Sequence, residues 1–297
     1  MLPTKFKPKG TFNLIRLGKD NDGGYLVEKN SINGSKSLIA MGIGKDWSFE
    51  KDFHSLNPKK INAYDHTVTI FFWIKFFIKK ILRVLLGQFS APYQGVLTFL
   101  DYKNFFTGDV VFFKEKVGSG KQSTISVNQA IERLDKNDMP IFFKIDIEGS
   151  EYVILDQLIS NNEDIIGLVI EFHYVGKNQN KIEKFINLFP LELVHIHPNN
   201  NRKTDDKGDP NTLEMTFAKS PKMLSDKLVL PNQLDQKNVP RKDEINLNFL
   251  SRNCLTKISD CLTESFFCII FFAISTELFN PINVLACPAD KFPRSTI

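Results

Sequence analysis

From Ser37 onward the chain alternates short apolar runs with stretches in which apolar residues recur every three to four positions. A strand buried on both faces needs the first pattern, and a helix lying on a sheet needs the second. The pattern predicts strands at 37–42, 61–65, 110–117, 140–146, 165–173, 191–197 and 212–218, and helices at 47–57, 70–86, 125–135, 149–160 and 179–188. Interleaved in that order, they predict an α/β fold with a doubly wound, mostly parallel, seven-stranded sheet. The last two strands flank a polar loop at 199–211, which suits an antiparallel pair at a sheet edge. Residues 1–36 read as a polar N-terminal segment with turn chemistry at NDGGY (21–25). The domain proper runs over 37–250.

Two stretches break the alternation. Residues 69–106 form a helical insertion after the second strand, opening TIFFWIKFFIKKILRVLLG. Charge interrupts it too often for a bilayer span. On a helix, Lys75, Lys79 and Arg83 fall every four residues and make a basic stripe on an apolar cylinder. That pattern suits a packed or self-associating helix with a solvated basic face. It equally suits an interfacial helix, giving peripheral membrane contact through 70–86, or a lid beside a lipid-like acceptor. The tail, 251–297, carries the apolar run SFFCIIFFAIS (265–275), which is shorter than a bilayer needs, and its order is left open. Cys254, Cys261 and Cys268 would share one face of a helix there, too far apart to close around one ion.

Composition narrows the function classes. The 297 residues are 42% hydrophobic and 24% charged with a net charge of +4, so no basic footprint for nucleic acid stands out. All four Cys lie in the tail, which argues against a disulfide scaffold and for a reducing, cytoplasmic setting, with membrane association left open. The N-terminal residues hold no apolar core of signal-peptide length.

Candidate chemistry sits at the predicted strand ends, where ligands gather in such a sheet. In MGIGKDWSFE (41–50), Gly42, Ile43 and Gly44 form a tight turn between strand and helix, followed by Asp46. Asp65 ends the second strand, about 20 residues after the glycine turn, and His66 follows it; an acid there can accept hydrogen bonds from both ribose hydroxyls of an adenosine-containing ligand. Trp47 stands where a dinucleotide fingerprint has its third glycine, which favours S-adenosylmethionine over NAD. In FFKIDIEGSEY (142–152), Asp146 and Glu148 share a strand face; so do Glu171 and His173 in VIEFH, and His195 and His197 in HIHPNN. Asp146, Glu148, Glu171, His173, His197, Asn199 and Asn200 are thus expected on one rim, as a general base, its orienter and acceptor-binding groups. The same groups offer oxygen and imidazole ligands to a divalent metal, although none is assigned. The expected base is His173 or Asp146, oriented by Glu171 or Glu148.

Taken together, DGGYLV (22–27), MGIGKDWSFE (41–50), YDHT (64–67), KIDIEGSEYVIL (144–155), EFH (171–173), HPNN (197–200) and LEMTF (213–217) resemble the FkbM-like methyltransferases over about residues 12–250. The resemblance implies a Rossmann-like methyltransferase sheet. It places Gly42 and Gly44 at the amino acid end of the cofactor S-adenosylmethionine, Asp65 at its ribose, and Asp146 and Glu148 at the boundary with the acceptor. It also implies O-methylation of a hydroxyl on a sugar, glycan or secondary metabolite. The insertion at 69–106 departs from compact methyltransferases and leaves the acceptor open. The alternatives are a nucleotide-sugar or NAD-dependent enzyme on a similar sheet, and a non-catalytic membrane-surface adaptor.

Overall fold

The computed structural model describes residues 1–121, 123–206 and 208–250, and residues 1–250 form one compact unit. The expectations about the tail and its cysteines lie outside the described residues. In chain order the elements are β1 (Thr11–Phe12), β2 (Leu14–Leu17), β3 (Tyr25–Glu28), α1 (Lys29–Gly34), β4 (Ser37–Met41), α2 (Ser48–Leu56), β5 (Lys60–Tyr64), α3 (Ile70–Leu82), α4 (Ala91–Phe105), β6 (Val110–Phe113), β7 (Lys116–Val117), β8 (Thr124–Ile125), α5 (Val127–Ile131), β9 (Ile141–Ile145), α6 (Leu155–Ser160), β10 (Ile165–His173), α7 (Val175–Leu188), β11 (Glu192–Pro198), β12 (Thr212–Ala218) and β13 (Met223–Ser225).

Seven strands make the central sheet in the order β11-β12-β10-β9-β4-β5-β6. Every neighbouring pair is parallel except those of β12, which runs antiparallel to both β10 and β11. This is a doubly wound α/β sheet: from β4 the chain steps outward to β5 and β6, then returns past β4 to lay down β9 and β10 on the other side. Both faces are buried, as the strand pattern requires. Ile39, Met41, Phe143 and Ile145 point into one apolar core, and Leu38, Ala40 and Phe142 into the other.

Differences from the sequence reading have local causes. The last pair of strands does form, but β12 inserts between β10 and β11, so the outermost strand is β11. The predicted strand 110–117 breaks after Phe113, and Lys116–Val117 pairs instead with Thr124–Ile125. The predicted helix 149–160 is a 3-10 turn at Glu151–Val153 followed by α6. The segment 1–36, expected to be polar, contributes the hairpin β2–β3 and buries Leu2, Phe6, Leu17, Tyr25 and Val27. The insertion at 69–106 is two helices, of which α4 had no amphipathic signal. Gly95 lets them approach closely, since a Cβ there would meet the Lys80 side chain at 3.2 Å. Trp73 of α3 packs against Phe99 and Tyr102 of α4.

Candidate functional site

The direction of winding reverses between β4 and β9, so the loops leaving their carboxyl ends diverge and leave a crevice. A cavity of about 550 Å³ opens there, within the size range of small-molecule sites. Gly42, Ile43, Gly44 and Asp46 line it from the loop after β4, Asp65 and His66 from the loop after β5, and Asp146 and Glu148 from the loop after β9. All six residues expected at a cofactor thus face one cavity. Glu171, His173 and His197 are not among the residues that line it.

Backbone geometry explains the two glycines of the turn. Gly42 has φ +84°, and a Cβ on it would sit 1.6 Å from the Asp146 carbonyl oxygen, so only glycine lets the ends of β4 and β9 abut. Gly44 has φ +56°, and no atom lies within 4 Å of where its Cβ would be.

Asp65 holds this turn in shape. Its Oδ2 accepts from the backbone N–H groups of Ile43 (3.0 Å) and Gly44 (2.7 Å), and its Oδ1 from the N–H (2.7 Å) and hydroxyl (2.6 Å) of Thr67. A carboxylate offers about four acceptor positions, and the chain's own donors take all of them. Asp65 lies at the expected place, but ribose hydroxyls would have to compete with the glycine turn for it. Asp46, two residues before α2, accepts from the N–H of its first residue, Ser48, at 3.1 Å, and pairs with Lys19. Burial disfavours its charge, but the Lys19 and Ser48 donors outweigh burial and hold its carboxyl below the ordinary carboxylate value. The amides at the turn and helix start, which in such folds receive a ligand's phosphates, are thus engaged by two carboxylates.

Beside the cavity, at the ends of β9 and β10, lies a buried charged cluster. Glu171 and His173 share one face of β10 through the two-residue strand period. The Tyr25 hydroxyl lies 3.0 Å from Glu171 Oε2 and 3.3 Å from Asp146 Oδ2, so one proton serves two carboxylates. Asn199 donates to Glu171 Oε1 at 3.1 Å. Burial pushes the Asp146 carboxyl up, and it pushes Glu171 well up, helped by the charges of Asp146 and Glu214. His173 is only 3% exposed, and its Nδ1 lies 2.9 Å from Oε1 of the fully buried Glu151. Burial lowers its basicity, but the Glu151 hydrogen bond and the charges of Glu151, Asp146 and Glu148 outweigh this and raise it overall. Two residues flanking the cluster, Glu148 (φ +53°) and Tyr174 (φ +54°), adopt the left-handed conformation, a strain that other side chains must hold in place.

Other rim candidates go elsewhere. His197 sits 3.2 Å from Glu214 and 3.7 Å from Glu244, and His195 lies 2.9 Å from Asp235. Asn200 braces the backbone of Val239 and Asp243. The inserted β12 sets β11 two strand spacings, roughly 10 Å, from β10, and this separates His197 from His173. The histidine's orienter is Glu151, not Glu171 or Glu148. Glu151 was hidden in a stretch read as helix, although its place five residues after Asp146 was visible. Tyr25, read as part of a polar segment, carried no signal for its role.

No protein-family model matches the chain, and no curated protein matches it. Solved structures similar to it include a precorrin-6y C5,15-methyltransferase from Geobacter metallireducens GS-15, at 12% identity over 64% of this chain and 85% of that one, with a TM-score of 0.32. The fibrillarin/Nop5p complex is 8% identical over 63% and 73%, with a TM-score of 0.32. A 30S ribosomal A1408 methyltransferase from an uncultured bacterium is 12% identical over 69% and 100%, with a TM-score of 0.26. Likenesses at this level do not identify the chain.

Proposed function

We propose that this chain is an S-adenosylmethionine-dependent methyltransferase that methylates a hydroxyl oxygen of a sugar, glycan or secondary-metabolite acceptor. The observation that carries the reading is the carboxylate occupation of the glycine turn and the start of α2 by Asp65 and Asp46. A diphosphate placed there would meet Asp46, Asp65 and Asp146 at close range, which costs free energy. A phosphate-free nucleoside bearing a sulfonium and an ammonium suits those carboxylates, and the cavity, which Lys19, Lys45, Lys116 and Lys144 also line, is large enough for it. This ranks NAD and nucleotide sugars second.

Bound there, S-adenosylmethionine would supply an electrophilic methyl group on sulfur. The protein's part is mainly to place an acceptor hydroxyl in line with that methyl. Asp146 lines the cavity, and this reading assigns it the hydroxyl proton. Burial raises its basicity, which favours proton uptake. His173 is too buried to touch an acceptor and acts by holding its neighbours' charges. Calorimetric titration tests the reading: S-adenosylhomocysteine should bind at micromolar concentration, with NADH and a nucleotide sugar silent. Binding of NADH with S-adenosylhomocysteine silent would overturn it.

One observation adds a membrane surface to this reading. On the α3–α4 hairpin, Ile74, Ile78, Ile81, Leu85 and Phe89 are exposed, with Leu85 at 82% and Phe89 at 78%. Lys75, Lys79 and Arg83 border this apolar face, and no Asp or Glu occurs from 67 to 100. Exposed apolar surface framed by cations fits an anionic bilayer. Among the described residues no helix is long and apolar enough to cross a membrane. Because Phe72 of α3 lines the cavity, an acceptor held at the bilayer surface would be delivered near the site. Co-sedimentation with anionic vesicles, lost when Lys75, Lys79 and Arg83 are changed to Glu, is the expected result. Dimerisation without vesicle binding would overturn it.

A further inference from the structure

The buried cluster behind the cavity carries a second ligand chemistry that the cofactor reading does not use. One carboxylate oxygen of Asp146, one of Glu171 and a ring nitrogen of His173 all lie within 4.8 Å of one another. Acidic groups crowd together on many surfaces without a ligand, so the arrangement around His173 decides. Its Nδ1 is engaged by Glu151, which leaves Nε2 aimed at Asp146 Oδ1 (3.9 Å), Glu171 Oε1 (3.6 Å) and Glu148 Oε2 (3.6 Å). These are beyond hydrogen-bond reach, so Nε2, on a side chain 3% exposed, has no hydrogen-bond partner among the described residues. Asp146 Oδ1 is a buried atom with no hydrogen-bond partner among the described residues.

Two features turn that gap into a site. Donor atoms bound at about 2.0–2.2 Å to one ion stand roughly 3–4 Å apart, and His173 Nε2 lies 3.9 Å from Asp146 Oδ1 and 3.6 Å from Glu171 Oε1. A histidine that ligates a metal nearly always gives its other ring nitrogen to a carboxylate, a backbone carbonyl or water, and Glu151 is such a carboxylate. Tyr25 and Asn199 hold Glu171 from outside, so the ligand oxygens are pre-set and do not have to be recruited.

We propose that Asp146, Glu171 and His173 bind a divalent cation of the Mn²⁺ class. Two carboxylates and one imidazole suit that class better than the soft, thiolate-bound metals. Positions left open toward the cavity would go to water or to hydroxyl oxygens of an acceptor. A cation there would relieve Asp146 of the proton-accepting role given above, and its binding does not depend on the methyltransferase reading.

The test uses the full chain, treated with chelator and dialysed, at about pH 7.5 without cofactor. Mn²⁺ is titrated and followed by electron paramagnetic resonance, with thermal unfolding as a second readout. The expected result is binding in the micromolar range and a rise in unfolding temperature, with affinity at least tenfold weaker in Glu171→Gln and in His173→Asn. Circular dichroism confirms that each variant is folded, and Glu171→Gln keeps the shape of the residue it replaces. Millimolar binding by the wild-type chain, or equal affinity in wild type and a folded Glu171→Gln, would overturn the site. S-adenosylhomocysteine titrated in parallel keeps the two readings apart: its binding without Mn²⁺ sinks only the metal site, and Mn²⁺ without it sinks only the cofactor assignment.

Discussion

The rim of the sheet and the α3–α4 hairpin violate the ordinary rule of burial in opposite directions. At the rim, charged groups are buried: Glu151 is fully enclosed, and Glu171 and His173 nearly so. On the hairpin, large apolar side chains stand in solvent. Each violation costs free energy in an isolated chain, the first through desolvation and the second through contact with water. A fold built for stability alone would keep neither. The contrast separates the two proposals made above: charge or hydrogen-bonding groups at the rim, an apolar surface at the hairpin.

The sharpest way to break the rim is at its backbone. Gly42→Ala would drive a Cβ into the Asp146 carbonyl, at a φ that side chains rarely adopt. The expected loss is on the order of 4 kcal/mol by urea unfolding, with S-adenosylhomocysteine binding abolished. A variant of near wild-type stability would mean that β4 and β9 can part freely, and the crevice would lose its architecture.

The hairpin separates inner from outer face. Trp73 is buried against α4, and Trp73→Ala should cost about 3–4 kcal/mol. Leu85→Ser on the exposed face should change stability by less than about 0.5 kcal/mol while weakening vesicle binding. If Leu85→Ser were as destabilising as Trp73→Ala, the outer face would be covered by protein and the contrast with the rim would disappear.

How much of this was legible in the sequence follows the same division. All seven strands of the central sheet were visible, because strands buried on both faces are written as near-continuous apolar runs such as IFFKI and IIGLVIEFH. The cavity's glycine turn and acids were visible too, since strand-end position alone places them. Position did not reveal partners. The order of β11 and β12 is a tertiary choice, so the sequence put His197 beside His173 when a whole strand lies between them. Glu151 and Tyr25 come to the cluster through a 3-10 turn and a hairpin that leave little periodic trace. Asp65 shows the same limit: its place was readable, its bonds to the glycine turn were not.

Glu151 offers a smaller test of the cluster. Glu151→Gln keeps the size of the side chain but removes the charge facing His173 Nδ1. The expected cost is about 1–3 kcal/mol in urea unfolding, with Mn²⁺ affinity falling about tenfold through lost support of a ligand. Unchanged Mn²⁺ affinity at that stability cost would make Glu151 a structural partner only.

The smallest effect comes from the second histidine network, which serves as the rim's control. His197 is buried beside Glu214, with Asp235 and Glu244 nearby. Burial lowers its basicity, but the hydrogen bond and charge of Glu214, then Asp235 and Glu244, outweigh it, so the folded value lies above the ordinary one near 6.5. The folded state therefore binds more protons than the unfolded state in the window between those values, and stability falls as pH rises through it. The contribution is fully present below the unfolded value and lost above the folded one. His197→Gln should flatten that slope, read as a smaller difference between urea midpoints at about pH 6 and pH 9 than in the wild type. It should leave S-adenosylhomocysteine and Mn²⁺ binding unchanged, because β12 separates His197 from the cluster. A loss of either ligand in this variant would join the two networks and extend the rim across β12, which is where the sequence pattern first placed it.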